Sequence, residues 1–301
     1  MGAGENHMNH MQVVLGFDME TDVGSWTPYY EGLKHGTPVI LNILDRHEVT
    51  ATFFFTGDAA RKHPETVRNV KARGHEIGAH TLFHETVGDS LFDIPGMMPV
   101  LEEEVPSRLR LCTEWIEQVA GMRPVSFRCP RLFGSTAVVN ALDALGYVAD
   151  ATYPMFYYRE RLRPYHPSRE DWTQEGDLRI VELPAFADLS MESKDPYGRD
   201  MDQWPLFRTE SAQALLRHID GFVGYCQVRG VEPFLCFYFH PWEFHPMPQG
   251  EIHYGEGAVR PDPFIVKNCG PHAAEQLDFL IKTLLDRGAE FVQAQKAAGG
   301  A

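Results

Sequence analysis

Residues 74–84, Gly74-His75-Glu76-Ile77-Gly78-Ala79-His80-Thr81-Leu82-Phe83-His84, read as a short strand, His75 to Ala79, running into a loop that carries two imidazoles. Imidazole is the commonest protein ligand for a divalent metal. Two of them at a strand end leave coordination positions for a carboxylate and for water, which a catalytic metal site needs. The small Gly78 and Ala79 let the backbone crowd such a site. Surface or capping histidines occur at the same spacing, so the reading depends on what the rest of the chain supplies.

Working outward, Gly74 stops a short helix over Pro64–Arg73. Before it lie a strand, Ala51–Thr56, a helix, Thr37–Val49, and an apolar strand, Gln12–Phe17. The first strand ends in Asp18-Met19-Glu20-Thr21-Asp22. Three carboxylates so close to a buried strand are costly unless paired, exposed or bound to a cation; a polar loop or a turn is the competing reading. Downstream come a loop over 88–99 and a helix over Val100–Ala120, with Glu102, Glu103 and Glu104 expected in its first turn. A strand from Pro124 to Phe127 leads into Arg128-Cys129-Pro130-Arg131. A helix, Ser135–Leu145, and a strand, Tyr147–Ala151 with Asp150, follow. This alternation predicts an α/β fold with a parallel sheet and helices outside it.

The rhythm breaks after Tyr153. An inserted segment of about 155–208, with one strand at Leu178–Leu183, is expected to cover the substrate site. Then come a helix, Thr209–Val228, and the strand Pro233–Phe239, which ends in His240-Pro241-Trp242-Glu243. A loop rich in Pro, Gly and His precedes a last helix, Pro271–Arg287, and a short strand, Glu290–Gln293. Residues 1–11 read as a disordered leader and 12–300 as a single domain.

The net charge of −15, from 27 basic and 42 acidic side chains, argues against a nucleic-acid or anionic-membrane partner. The five cysteines are widely spaced and form no Cys-x2-Cys pair, which fits reduced thiols. The first residues have neither a basic region nor an apolar run, and no stretch approaches the ~18 apolar residues of a membrane span. These features predict a cytoplasmic protein. They are compatible with a homo-oligomer.

Parallel sheets and barrels carry their active groups at the carboxyl ends of the strands. Asp18 and Glu20, His80 and His84, Arg128, Asp150 and His240 all fall at such positions. FDMETD, GHEIGAHTLFH, FRCPR, DATYP and FYFHPWE, in that order, resemble the motif series of the polysaccharide deacetylase (NodB-homology) superfamily. The resemblance spans roughly residues 12–300 and is weakest near 155–210.

That resemblance implies a distorted (β/α)7 barrel and metal-dependent hydrolysis of an amide C–N bond. Glu20, His80 and His84 resemble the metal triad. Asp18 resembles the catalytic base, Arg128 the arginine that orients it, and His240 the general acid. Which of Asp18 and Glu20 is ligand and which is base stays open. Asp150 is a candidate to hold His240, with Glu243 as its rival. Arg131, Trp242 and Trp26 are candidate substrate contacts. The implied cofactor is a divalent metal, Zn²⁺ first, with Co²⁺, Ni²⁺ or Mn²⁺ as alternatives.

Two departures bear on the substrate. Asp18-Met19-Glu20 stands where the family usually has adjacent aspartates, although residues i and i+2 still share a strand face. Arg131 stands where an aromatic usually follows the proline, which departs from a standard sugar-binding groove. The implied partner is therefore a small-molecule or glycan amide: an N-acylated sugar or, alternatively, a cyclic imide, ureide or formamide. Two histidines and a carboxylate also describe a non-haem iron oxygenase, and a metal-binding module without activity is a third reading.

Overall fold

The computed structural model describes residues 11–299. The leader expected over 1–11 lies outside the described residues except for Met11, which is buried and whose carbonyl accepts the Glu290 N–H at 2.9 Å. The strands are β1 Gln12–Met19, β2 Thr52–Phe55, β3 Glu76–Ala79, β4 Ser126–Phe127, β5 Ala149–Asp150, β6 Val181–Glu182 and β7 Phe234–Phe239, followed by β8 Ile252–Tyr254, β9 Gly257–Val259 and β10 Glu290–Phe291.

β1 to β6 pair side by side, all parallel, and β7 pairs along the other edge of β1. The circuit closes where the Phe186 N–H, just past β6, donates to the Cys236 carbonyl of β7 at 2.9 Å. With helices outside, this is the distorted seven-stranded barrel. β10 adds a short eighth strand at the start of β1.

Alternation along β1 explains its unbroken apolar run. Val13, Leu15, Phe17 and Met19 face the helices, whereas Val14 belongs to a second core inside the barrel. A strand buried on both faces shows no polar alternation. The barrel interior is filled from below by Ala294, Ala297 and Ala298 of the helix Ala294–Ala298.

Several expectations needed adjustment. The acidic run Glu102–Glu104 forms a separate 3₁₀ turn, and the α-helix begins at Val105 with Pro106 in its first turn. A helix at Gly57–Lys62, capped by the Thr56 hydroxyl, and the antiparallel pair β8–β9 went unforeseen. No described helix is long and apolar enough to cross a membrane.

Candidate metal centre and active site

Glu20 is buried immediately beyond β1. Its Oε2 lies 2.5 Å from His84 Nε2 and 3.6 Å from His80 Nε2. Neither carboxylate oxygen has a hydrogen-bond partner, and His80 Nε2 has none either. Buried polar atoms are rarely left so. One atom from each of the three side chains falls within 4.8 Å of the others. The His80 Nδ1–H donates to the Arg128 carbonyl at 2.8 Å, which leaves Nε2 as a lone pair facing Glu20. This is how a ligating histidine is usually oriented.

Charge agrees with that fit. Burial pulls the His84 pKa down to about 4, against the attraction of Glu20, so the ring is a neutral imidazole at neutral pH. Burial would raise the Glu20 pKa, but the facing His84, His80 and His240 hold it well below the usual carboxylate range. Anionic carboxylate and neutral imidazole are the ligand forms. One contact runs the other way. Arg131 Nη1 lies 3.1 Å from His84 Nδ1, and a guanidinium can only donate. His84 must shed that bond before its Nε2 can face a cation as a lone pair.

Asp18 sits two residues earlier on the same face and is committed elsewhere. Arg128 donates to its Oδ1 at 2.8 Å. The guanidinium is fully buried inside the barrel, where the Ala151 carbonyl at 2.9 Å and the Phe237 carbonyl at 3.1 Å also receive it. Gly16 makes the room: a Cβ there would fall 2.3 Å from Arg128 Nη1. Sequence alone offered no hint of that requirement.

His240 follows β7, with Nε2 4.0 Å from Glu20 Oε1. Its holder is Glu243 and not Asp150, which corrects the first of those two candidates. Glu243 Oε1 lies 3.0 Å from His240 Nδ1 and accepts the His240 backbone N–H at 2.9 Å. Burial alone would lower the His240 pKa, but Glu243, Glu20 and Asp18 outweigh it and raise it. Glu243 is itself held by Arg208, whose Nε donates to Oε2 at 2.6 Å. Asp150 belongs to another cluster inside the barrel, where it accepts the Thr152 hydroxyl and faces Glu182.

Asp18, Glu20, His84 and His240 line a cavity of about 430 Å³. Trp26, Arg131 and Trp242 are on its wall, and the inserted segment adds Arg199 and Trp204. Trp172 packs instead on Tyr153 and Tyr158, away from the cavity. Asp22 is a turn residue that accepts the Glu31 and Gly32 N–H groups. Of the non-glycine residues with positive φ, Val23, His84, Arg131 and Leu132 all line the cavity. Backbone strain of this kind gathers at functional sites. Among the described residues the Arg131 N–H has no acceptor.

A sequence model of the family described as polysaccharide deacetylase matches residues 6–149, the part that contributes Asp18, Glu20, His80, His84 and Arg128. Over that stretch, just under half of its length, the chain resembles the polysaccharide deacetylase family. A peptidoglycan-N-acetylglucosamine deacetylase of Bacillus cereus is 35% identical over an alignment covering 36% of this chain and 45% of that protein. The chain spans about half the length of the curated relatives it matches. Among solved structures, a Mycobacterium smegmatis protein assigned to the polysaccharide deacetylases superposes with a TM-score of 0.64 at 20% identity, over 100% of this chain and 92% of that one. PuuE allantoinase gives 0.60 at 13% identity, over 96% and 89%. At these identities the two structures speak for the fold alone.

Proposed function

We propose that this chain is a metal-dependent hydrolase of the amide C–N bond, deacetylase-like, in which water splits an N-acyl group into a carboxylate and an amine. One observation carries the reading: a buried carboxylate with both oxygens unsatisfied faces two imidazoles, in a cavity that also presents Asp18 and His240.

Glu20, His80 and His84 would hold the cation, with Zn²⁺ the first expectation for a carboxylate and two imidazoles. A divalent ion there supplies a Lewis acid that acidifies water and polarises the amide carbonyl. Glu20 is the ligand and Asp18 the base because their contacts differ: Glu20 faces the imidazoles, whereas Asp18 is fixed by Arg128. Asp18 removes a proton from the attacking water. The Arg131 N–H donates to the carbonyl oxygen as that atom gains charge. His240, kept protonated by Glu243, delivers a proton to the departing nitrogen. Acid and base are separate groups because one must be protonated and the other charged at the same pH.

The named relatives favour an N-acetylated sugar. The walled cavity and the charge of Arg131 favour the second reading, a smaller amide such as a cyclic imide, ureide or formamide. Turnover of N-acetylated sugars and cyclic imides, measured side by side, separates them. Asp18→Asn is expected to keep the metal and lose about 10²–10⁴ in rate, and His84→Ala to lose both metal and turnover. A normal rate from either variant refutes the assignment.

A further inference from the structure

The polar groups left over on the cavity wall are unequal in kind. Trp204 and Trp242 line it, and the buried indole N–H of each has no acceptor among the described residues. Arg131 lines it with no carboxylate at ion-pair distance; its partners are His84 Nδ1 at 3.1 Å and the Gly24 carbonyl at 3.3 Å. The wall's carboxylates are differently placed: Asp18 has Arg128, Glu20 faces the imidazoles, and Asp262 is exposed and accepts the Phe264 N–H. Arg131 is thus a part-buried cation on the wall with no carboxylate partner among the described residues. A half-buried guanidinium without an anion is costly unless the ligand supplies one.

Of the three arginines on the wall, Arg131 is, among the described residues, the part-buried one without a carboxylate partner. Arg199 lies 3.6 Å from Asp202 and rests over the Phe92 and Phe156 rings. Arg260 is exposed to solvent. Arg131 lies 5.9 Å from the Trp26 ring and is separated from Glu20 only by the His84 imidazole. An anion held there would sit a few bonds from the reacting carbon. The rest of the wall is apolar, with Phe92, Ile94, Val259 and Ile265.

Resting on the amide-hydrolase reading, we infer that the ligand is a small amide carrying a carboxylate beside an apolar or aromatic body, and that Arg131 takes the carboxylate. The overall charge of −15 does not oppose this. Exposed charges more than about 8 Å away are screened at physiological salt, whereas a partly buried contact is not.

The test uses hippurate and its neutral counterpart hippuramide, which share an amide and a phenyl ring and differ in the carboxylate. Their binding to the metal-loaded wild type, Arg131→Gln and Arg131→Lys is measured by calorimetry, with metal content and product release followed in parallel. Wild type should bind hippurate at least about tenfold more tightly than hippuramide, the worth of one charge-assisted pair. Arg131→Gln should abolish that preference, read as the ratio of the two affinities in metal-loaded protein, and Arg131→Lys should restore part of it. Equal affinities in wild type, a preference that survives Arg131→Gln, or no binding of either probe overturns the inference. Preferential binding of hippurate without product release supports anion recognition and counts against hydrolysis of that bond. Equal binding with turnover does the reverse.

Discussion

Arg128 and Arg208 are both fully buried, and both end on a carboxylate of the active face, but they stand at different removes from the site. Arg128 comes from the end of β4, lies inside the barrel and touches the proposed base directly. Arg208 comes from the short helix Leu206–Thr209 at the end of the inserted segment and holds Glu243, which in turn holds His240. Its other donors go to the Lys267 and Ile265 carbonyls, at 2.6 Å each. The difference follows from what each end must do. A base needs a counter-charge at hand, whereas an acid needs a carboxylate beside it, and that buried carboxylate needs an arginine of its own. The Glu243 carboxyl accordingly stays below its ordinary range: burial pushes it up, and Arg208 and His240 more than reverse that.

Removing each arginine is the harshest way to break the parallel. Arg128→Met leaves Asp18 without its ion pair and should cost roughly 3–5 kcal/mol in a denaturant titration. Arg208→Met should cost less, because Glu243 keeps His240. The reverse order would show the pairs to be differently built. Glu243→Gln probes the second arm by function. A raised imidazole pKa keeps the acid protonated to higher pH, so its loss should move the alkaline limb of the rate profile to lower pH. An unmoved limb would exclude Glu243 as the tuning group. Gly16→Ala probes the first arm without touching a charge. Its methyl would meet the Arg128 guanidinium, costing about 1–3 kcal/mol, with a loss of rate that Gly16→Ala shares with Arg128→Met; unchanged stability and rate would contradict the contact.

The smallest effect concerns buried carboxylates with no arginine of their own. Asp150 and Glu182 face each other in the barrel; burial lifts Asp150 from 3.8 to about 7, and Glu182 is also raised. The folded state therefore keeps a proton that the unfolded chain gives up. This contribution to stability is full below about pH 4 and is lost as the pH rises towards 7. Asp150→Asn should flatten that decline in melts taken across the range, and an unchanged slope would contradict it.

The first arm was legible in the sequence and the second only in part. Strand ends announce themselves, because Asp18, His80 and Arg128 interrupt apolar runs at positions where a parallel sheet exposes its functional face. Glu243 could be weighed because it lies three residues from His240. Arg208 carries no local signal; its tie to Glu243 spans 35 residues and exists only once the inserted segment has folded back. The 3₁₀ turn at Glu102–Glu104 escaped notice because Pro106 shifts the helix start past the acidic run. Gly16 reads as an ordinary strand residue until Arg128 is seen lying against it.

The central claim is that an acidic side chain leaving β1 and the two imidazoles after β3 share one cation. It is tested most directly by the metal content of purified protein, wild type against Glu20→Ala, by elemental analysis after dialysis. The account predicts one equivalent of a divalent metal in the wild type and its loss in Glu20→Ala, with the fold intact by circular dichroism. A wild type that takes up no metal when offered Zn²⁺, or a Glu20→Ala protein that retains a full equivalent, would contradict it.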